Sequence, residues 1–330
     1  MRKVFEIFSL LVFLKLTNCF ICSSVYANQA DCIEAIKHLE IITGVRTFAY
    51  LGEEQKIVDR SVNQRGFNGR GVTVHYLESV AQQLGYKTDR QSWNARMRSS
   101  GGSIELTNLI VNGPAASTSA PTLIIGAHYD SINSDSGSWM DRHGRYRATP
   151  GADDNGSGVV ALLTLLKRFR SIAPKLNLQI VFFDAEEPSP TGVFVGSRYF
   201  VNHLVKNGKV TSVKMAIILD MIGRPSRLYP DLYNLSADKI SPSFLIEGLS
   251  AKQAPFPFIR ESEQKDFINI TDNQNFNKAG IPSILVTDVV SLRDLPDHYH
   301  TVRDRAEFID WRYWESIVNQ VENLVRKIAR

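Results

Sequence analysis

The chain has 330 residues, of which 43% are hydrophobic and 22% charged, a composition typical of a globular protein with a substantial core. Its formal net charge is only +4 at pH 7, so charge gives no reason to expect a nucleic acid or an anionic membrane as partner. Two of the three cysteines, Cys19 and Cys22, lie within the first 27 residues. A chain cleaved after Ala27 could therefore form no internal disulfide.

Residues 1–27 have the features of a secretory signal peptide. They combine a basic start, an apolar stretch and small residues that end at Ala27. Cleavage after Ala27 would export the protein to the periplasm or beyond and leave it without membrane attachment; the alternative is an uncleaved anchor. Because no repeat or low-complexity linker divides the rest, residues 28–330 are predicted to form a single domain, expected to be a monomer.

Helical and strand patterns alternate along the chain. Apolar residues spaced three and four apart predict helices at 30–41, 72–86, 159–169, 197–205 and 311–328. Short apolar runs predict strands at 107–111, 121–127, 178–183 and 215–219, and the run IPSILVTD (281–288) follows the same pattern. Polar stretches at 44–71 and 132–149 are predicted to be loops. This alternation predicts an α/β fold, a three-layer sandwich with a mostly parallel central sheet.

Metal-capable side chains stand where the predicted strands end. His128 follows LIIGA, the pair Glu186 and Glu187 follows IVFF, and Asp220 follows MAIIL. The carboxyl ends of parallel strands share one edge of a sheet, and ligands bind in the crevice beyond that edge. His300, in the loop after the run at 281–288, fits the same frame.

Imidazoles and carboxylates are zinc ligands, and catalytic zinc keeps one position open for water. Asp153, which precedes a predicted helix near Gly156, is the candidate bridge between two zinc ions. In this hypothesis His128 and Asp220 complete one zinc site, and Glu187 and His300 complete the other. Two metals so placed can activate a water and stabilise the oxyanion in hydrolysis.

The remaining acidic residues have different expected roles. Because neighbouring residues of an extended chain point to opposite sides, Glu186 is free to act as general base. Asp130 is placed to accept the second imidazole N–H of His128 and to fix its tautomer. Taken one at a time, these motifs are ordinary: two adjacent glutamates usually lie on a solvated face, and Asp153 and Asp154 could cap a helix. Their conjunction at strand ends favours a metal site.

Five segments in order, GAHYDS, PGADDNGSG, DAEE, LDMIG and YHTVRD, resemble the co-catalytic dizinc aminopeptidases. That family also contains animal-type glutaminyl cyclases and glutamate carboxypeptidases, and the likeness covers roughly residues 105–325. The resemblance implies a zinc aminopeptidase-like fold, two bound Zn²⁺, and Glu186 as the base. By this resemblance the metal ligands are His128, Asp153, Glu187, Asp220 and His300.

The resemblance implies further roles close to the metals. The pattern H-T-x-x-D selects His300 over His298 as a ligand. Tyr299 would stabilise the oxyanion, unless its ring only packs. Met221 would line an apolar substrate pocket, and a cis peptide bond is expected between Asp153 and Asp154, with Asp154 supporting the ligands from behind.

Four functions are compatible with these features. The favoured one is an aminopeptidase acting on peptides with a free N-terminus and an apolar first residue, for which Phe256 and Phe258 are further pocket candidates. The segment PSPTGVFV, between Glu187 and Gly196, is closer in length to that of the glutaminyl cyclases, which use a single zinc. A carboxypeptidase would need a cationic clamp such as Arg198 or Arg224. A metal-less binding ectodomain that kept the fold is the alternative from another class.

Overall fold

The structure, a computed structural model, describes residues 29–62, 69–98, 101–132, 149–225, 271–289 and 295–329, with the backbone of 234–237. The predicted signal peptide, Phe256 and Phe258 lie outside the described residues. No helix in the described part of the chain is both long enough and apolar enough to span a membrane.

The helices and strands alternate as the sequence predicts. The helices are α1 (Gln29–Ile42), α2 (Gly69–Gln83), α3 (Gly158–Phe169), α4 (Val195–Lys206), α5 (Asn273–Lys278) and α6 (Trp311–Ile328). The strands are β1 (Phe48–Tyr50), β2 (Glu53–Gln55), β3 (Lys87–Arg96), β4 (Ser103–Asn112), β5 (Thr122–His128), β6 (Asn177–Phe183), β7 (Val213–Leu219), β8 (Asn234–Ala237) and β9 (Ser283–Thr287). Strands β1 and β2 form a separate antiparallel pair.

Seven strands form the central sheet, in the order β3-β4-β6-β5-β7-β9-β8. The four central strands, β6, β5, β7 and β9, are parallel. β3, β4 and β8 pair antiparallel at the two edges. The predicted mostly parallel sheet is confirmed, and the polar edge strand β3 is an addition to the prediction.

Both faces of the parallel strands are buried, which is why their sequences are continuously apolar. In β7, Ile217 and Leu219 pack with α1, α2, α3 and α6, whereas Ala216 and Ile218 pack with α4 and α5 on the opposite face. The sheet is therefore the middle layer of three, as predicted. Gly126 in β5 allows this close packing, since an added Cβ would lie only 2.4 Å from the Phe183 ring.

The C-terminal helix α6 is tied to the beginning of α3. Trp314 is completely buried, and its indole Nε1 donates to the carbonyl of Ser157 at 3.0 Å. Asp310 caps α6 by accepting hydrogen bonds from the amides of Arg312 and Tyr313. This packing anchors the turn that leads into α3, and that turn faces the carboxyl ends of the parallel strands.

Candidate metal centre

The site begins with His128, the last residue of β5, whose side chain is 1% exposed. Its Nε2 lies 3.3 Å from Asp154 Oδ1 and 3.4 Å from Asp220 Oδ1, and Asp220 directly follows β7. Glu186 Oε2 is 3.9 Å away. The parallel register of β5 and β7 brings these groups together, so the predicted convergence at one sheet edge is observed.

A second group lies beside the first. His300 Nε2 is 3.2 Å from Asp154 Oδ2 and 3.0 Å from Glu187 Oε2. The two oxygens of Asp154 thus face the two histidines, one each. We call His128, Glu186 and Asp220 the inner group and Asp154, Glu187 and His300 the outer group; the candidate ligand atoms within each lie within 4.8 Å of one another.

The structure corrects the predicted bridge by one residue. Asp153, the predicted bridging ligand, directs its carboxylate away from both groups. Its Oδ1 accepts a hydrogen bond from the Gly223 amide at 2.9 Å, and its Oδ2 lies 3.3 Å from His298 Nε2. The Asp154 carboxylate lies between the two histidines instead, because successive side chains of this turn point in different directions. The cis peptide bond also lies one residue later than expected, between Asp154 and Asn155.

Hydrogen bonds hold the turn that carries Asp154. The carboxylate of Asp304 accepts from the amides of Asp153 and Asp154 at 2.8 and 3.0 Å. Asn155 bridges to the end of β7, donating to the Leu219 carbonyl at 2.8 Å and accepting from the Met221 amide at 3.3 Å. The bridging carboxylate is therefore fixed relative to both the His300 loop and the strand that precedes Asp220.

The two glutamates after β6 separate into different groups because the chain bends between the strand and the glutamates. Ala185 has a left-handed backbone, with φ of 54°. The Asp130 carboxylate then accepts from the amides of Glu186 and Glu187 at 3.0 and 3.2 Å. Asp130 Oδ1 also stands 3.4 Å from His128 Nδ1, so this residue lies where the sequence placed it, behind the His128 imidazole.

Of the two histidines in the segment YHTVRD, His300 reaches the centre and His298 does not. The His298 ring stacks on Phe308, with 6.0 Å between centroids, and its Nδ1 lies 2.6 Å from Arg224 Nη1. His298 supports the side chain of Asp153 from the other side. The choice of His300 as the candidate ligand agrees with this geometry.

Both histidines of the centre have raised pKa values. Burial disfavours the charged imidazole of His128, but attraction from nearby carboxylates, Glu186 first, outweighs it and raises the His128 pKa well above its usual range. Burial also opposes protonation of His300, while hydrogen bonds with Asp154 and Glu187 bring its pKa to about 10. The chain alone therefore holds protons where a metal ion would supply positive charge.

The pKa values of the carboxyl groups are shifted in opposite directions, according to the charges next to each one. Burial, and then the charge of Asp154, raise the pKa of Glu187 to about 7. Burial raises the pKa of Glu186 well above its usual range, and the charges of Asp220 and Glu187 add to the effect. Burial likewise penalises ionised Asp154, but its close contacts with the two histidines outweigh this and lower its pKa. Of these three carboxyl groups, Asp154 is therefore the one whose ionised form is favoured by its neighbours.

The donor set fits zinc. His128 Nε2, Glu187 Oε1 and Asp220 Oδ1 are buried atoms that make no hydrogen bond to any residue the structure describes. Buried polar atoms are normally satisfied, and unpaired ones that converge indicate an ion. Imidazole nitrogens and carboxylate oxygens are the ligands of catalytic zinc sites. The two three-residue groups are therefore suited to hold metal ions.

Comparison with known proteins agrees with this chemistry. Residues 108–325 match the sequence profile of Peptidase family M28. The chain belongs to peptidase family M28. It is 30% identical over 217 residues to leucine aminopeptidase 1 of Colletotrichum graminicola, covering 62% of this chain and 49% of that protein. The chain thus spans about half the length of that fungal relative.

Solved structures share the M28 fold at low sequence identity. A glutaminyl cyclase of Fimbriiglobus ruber superposes with a TM-score of 0.70 at 20% identity, covering 92% of this chain and 96% of that one. BSAP, a zinc aminopeptidase from Bacillus subtilis, superposes with a TM-score of 0.67 at 14% identity, covering 91% and 95%. Both similarities show the fold only, and this fold occurs in a glutaminyl cyclase as well as in a zinc aminopeptidase.

A cavity opens beside the metal-capable groups of this M28 chain. Apolar and hydroxyl side chains cover one wall of the cavity, namely Met221, Thr271, Leu285, Thr287, Val289 and Leu295. Met221, the predicted pocket residue, packs with Val289 and is backed by Leu295 and Tyr299. The Tyr299 ring stacks on His300, with 3.7 Å between centroids, and its pKa is raised by burial and nearby acidic groups. The protonated hydroxyl of Tyr299 is consequently a donor at the edge of this cavity.

Two supporting residues escaped the sequence analysis. Asp304 is the last residue of the H-T-x-x-D pattern. Its carboxylate accepts the hydrogen bonds from the amides of Asp153 and Asp154 that hold the turn. Arg60 lies in the stretch 44–71, which the sequence analysis interpreted only as a polar loop, yet its guanidinium is buried beneath the centre. Nothing in the sequence around Arg60 indicated that its side chain is buried, because the stretch 44–71 is polar and has no apolar periodicity. The pattern H-T-x-x-D could have indicated the role of Asp304.

Proposed function

We propose that this M28 chain is a metallo-aminopeptidase that removes apolar N-terminal residues from peptides one at a time. The observation that carries the proposal is the position of Asp154, whose two oxygens face His128 and His300 at 3.3 and 3.2 Å. A carboxylate placed in this way suits two metal ions held side by side. We further propose that residues 1–27 direct the enzyme out of the cytoplasm.

In this proposal Asp154 would be a ligand of two zinc ions. His128 and Asp220 would complete the ligands of one ion, and Glu187 and His300 those of the other. When bound, zinc supplies a Lewis acid for the scissile carbonyl and lowers the pKa of the attacking water. Asp130 orients the His128 ring and holds the chain at both glutamates.

Glu186 is proposed as the general base. Its carboxylate belongs to the inner group, with Oε2 3.9 Å from His128 Nε2, and burial with acidic neighbours raises its pKa. A base with a raised pKa accepts a proton from water and can return it to the leaving amine nitrogen. Glu186 would thus take up the proton as the C–O bond forms and donate it as the C–N bond breaks.

In this proposal the acidic groups and the apolar lining of the same cavity would recognise the substrate. A free α-ammonium group can be bound by Glu186 and by the carboxylates of Asp220 and Glu187 with charge-assisted hydrogen bonds. The wall formed around Met221 accepts an apolar first side chain. The Tyr299 hydroxyl, at the same cavity, would donate to the oxyanion that develops at the scissile carbonyl.

A single-zinc glutaminyl cyclase is the second candidate. The segment at 188–195, which follows Glu187, favours it by its length. Cyclisation of an N-terminal glutamine would use Glu186 for proton transfer but would need only one metal ion. Metal stoichiometry and product separate the two candidates.

Assays of purified protein decide between them. We expect hydrolysis of leucyl and methionyl derivatives, slower hydrolysis of lysyl and glutamyl derivatives, and none of their N-acetylated forms, since acetylation removes the charge and the donors. An N-terminal glutaminyl peptide should lose its first residue, not ammonia. Equal rates on free and acetylated substrates, or a preference for glutamyl ones, would contradict the aminopeptidase. Formation of pyroglutamate would establish the cyclase, and a protein that neither binds zinc nor turns over any of these substrates would favour the metal-less binding ectodomain.

A further inference from the structure

The Arg60 side chain, only 2% exposed, lies beneath the loops that carry the candidate ligands. Its Nη1 donates to the Tyr129 carbonyl at 2.8 Å, and its Nη2 donates to the Pro150 and Gly151 carbonyls at 2.8 and 2.7 Å. Tyr129 directly follows His128, and Gly151 is three residues before Asp154. One guanidinium therefore joins the chain leaving β5 to the turn before α3.

The surroundings of Arg60 explain how a cation is tolerated there. Burial lowers its pKa, while the charges of Asp130, Asp304 and Asp154 raise it. A buried ion is retained only where hydrogen bonds and opposite charges offset its desolvation. Arg60 keeps its positive charge below an acidic centre, and three carbonyls fix the orientation of its plane.

The fit around this guanidinium is close. Gly151 has a left-handed backbone with φ of +60°, and an added Cβ would stand 2.6 Å from Arg60 Nη2 and 2.5 Å from the Asp154 carbonyl oxygen. Only a residue without a side chain leaves room for both the guanidinium and the turn. The chain at 150–151 is thus shaped around Arg60.

We propose that Arg60 is a positioning residue that sets the separation of His128 and Asp154 and thereby the affinity and geometry of the metal centre. This inference rests on the proposed function, because it assumes zinc at the two groups. A planar guanidinium spans the two loops with donors in a fixed fork. A lysine at this position keeps the charge but presents a single nitrogen, which cannot hold both loops in the same way.

The test compares Arg60→Lys and Arg60→Met with wild type and with Arg168→Met. Arg168 is a matched control: it is also largely buried, and it pairs with Asp31 and Glu322 near the C-terminal end of α3. That end is about 15 Å from the turn, at 1.5 Å per helical residue. Zinc affinity is measured on the metal-free proteins by competition with a chelator, and the cobalt-substituted proteins are compared by their visible absorption spectra.

We expect Arg60→Lys to bind zinc about 10- to 100-fold more weakly, the usual effect of removing support behind a metal ligand, and to show an altered cobalt spectrum. Arg168→Met should lower the thermal midpoint while zinc affinity and the cobalt spectrum stay at wild-type values. Circular dichroism monitors whether each variant folds. If Arg60→Met does not fold, the comparison rests on Arg60→Lys. Wild-type zinc affinity and spectrum in folded Arg60→Lys would overturn the inference. Wild-type protein that binds no zinc would instead overturn the proposed function.

Discussion

The histidines of the inner and outer groups both face the Asp154 carboxylate, but the two groups are supported differently. His128 is the last residue of a central strand, and its side chain is 1% exposed. His300 lies in the loop after β9, has a left-handed backbone with φ of 55°, and its side chain is 19% exposed. The inner group is therefore held by the sheet, whereas the outer group depends on a loop.

This difference indicates which ion should exchange first. Ligands on rigid strands are pre-organised, so binding an ion there costs little ordering. A loop-borne ligand must be ordered for binding, and its left-handed backbone conformation has its own energetic cost. We expect the outer ion to be the more weakly bound of the two, with Asp154 essential to both.

The largest effect should come from the shared carboxylate. Asp154→Asn should lose both zinc ions and reduce activity to background, since one oxygen of Asp154 faces each histidine. Asp153→Asn should keep both ions, with affinity about 10- to 100-fold weaker at most, because Asp153 acts from behind the centre. Zinc content by elemental analysis and kcat on a leucyl substrate measure both changes. Loss of both ions from Asp153→Asn but not from Asp154→Asn would restore the original assignment of the bridge.

The paired glutamates offer a comparison across the two groups. Glu186→Gln should reduce kcat by at least about 10²-fold, the low end for a general base, while two zinc ions remain bound. Glu187→Ala should lose the outer ion and keep the inner one. If Glu186→Gln lost zinc, Glu186 would be a ligand of the zinc ion at the inner group, and its role as base would be wrong.

The affinity for zinc should also depend on pH. Zinc must displace protons from ligands whose pKa values are raised, to about 7 for Glu187 and about 10 for His300. Protons compete most strongly at low pH, so zinc affinity should rise from pH 6 to pH 8, about tenfold per pH unit for each proton displaced. Calorimetry in buffers of different ionisation enthalpy counts the released protons. Zinc affinity that does not change across this range would show that the ligands are already deprotonated without metal.

The sequence predicted the parallel strands and the edge where the site lies, because buried strands such as β5 and β7 have continuous apolar runs. It missed β3, whose sequence KTDRQSWNAR is polar because the strand lies at an exposed edge of the sheet. Edge strands with one solvated face give a weak apolar signal.

At the site, the sequence predicted the participating segments but not every atom. Asp153 and Asp154 are adjacent and chemically identical, so composition and spacing could not show which one faces the histidines. Local backbone geometry decides it: the Gly223 amide binds Asp153, which leaves Asp154 facing both groups. Arg60 was missed for a related reason, since its partners at Tyr129 and Gly151 are backbone carbonyls far away in sequence.

Anomalous diffraction from crystals of the zinc-loaded protein, recorded on both sides of the zinc absorption edge, tests the central claim most directly. We expect two zinc peaks about 3.5 to 4 Å apart, the separation of paired catalytic metals. One peak should lie against His128 and Asp220 and the other against Glu187 and His300, with Asp154 bound to both. A single peak, or a zinc ion bound by Asp153, would contradict this claim.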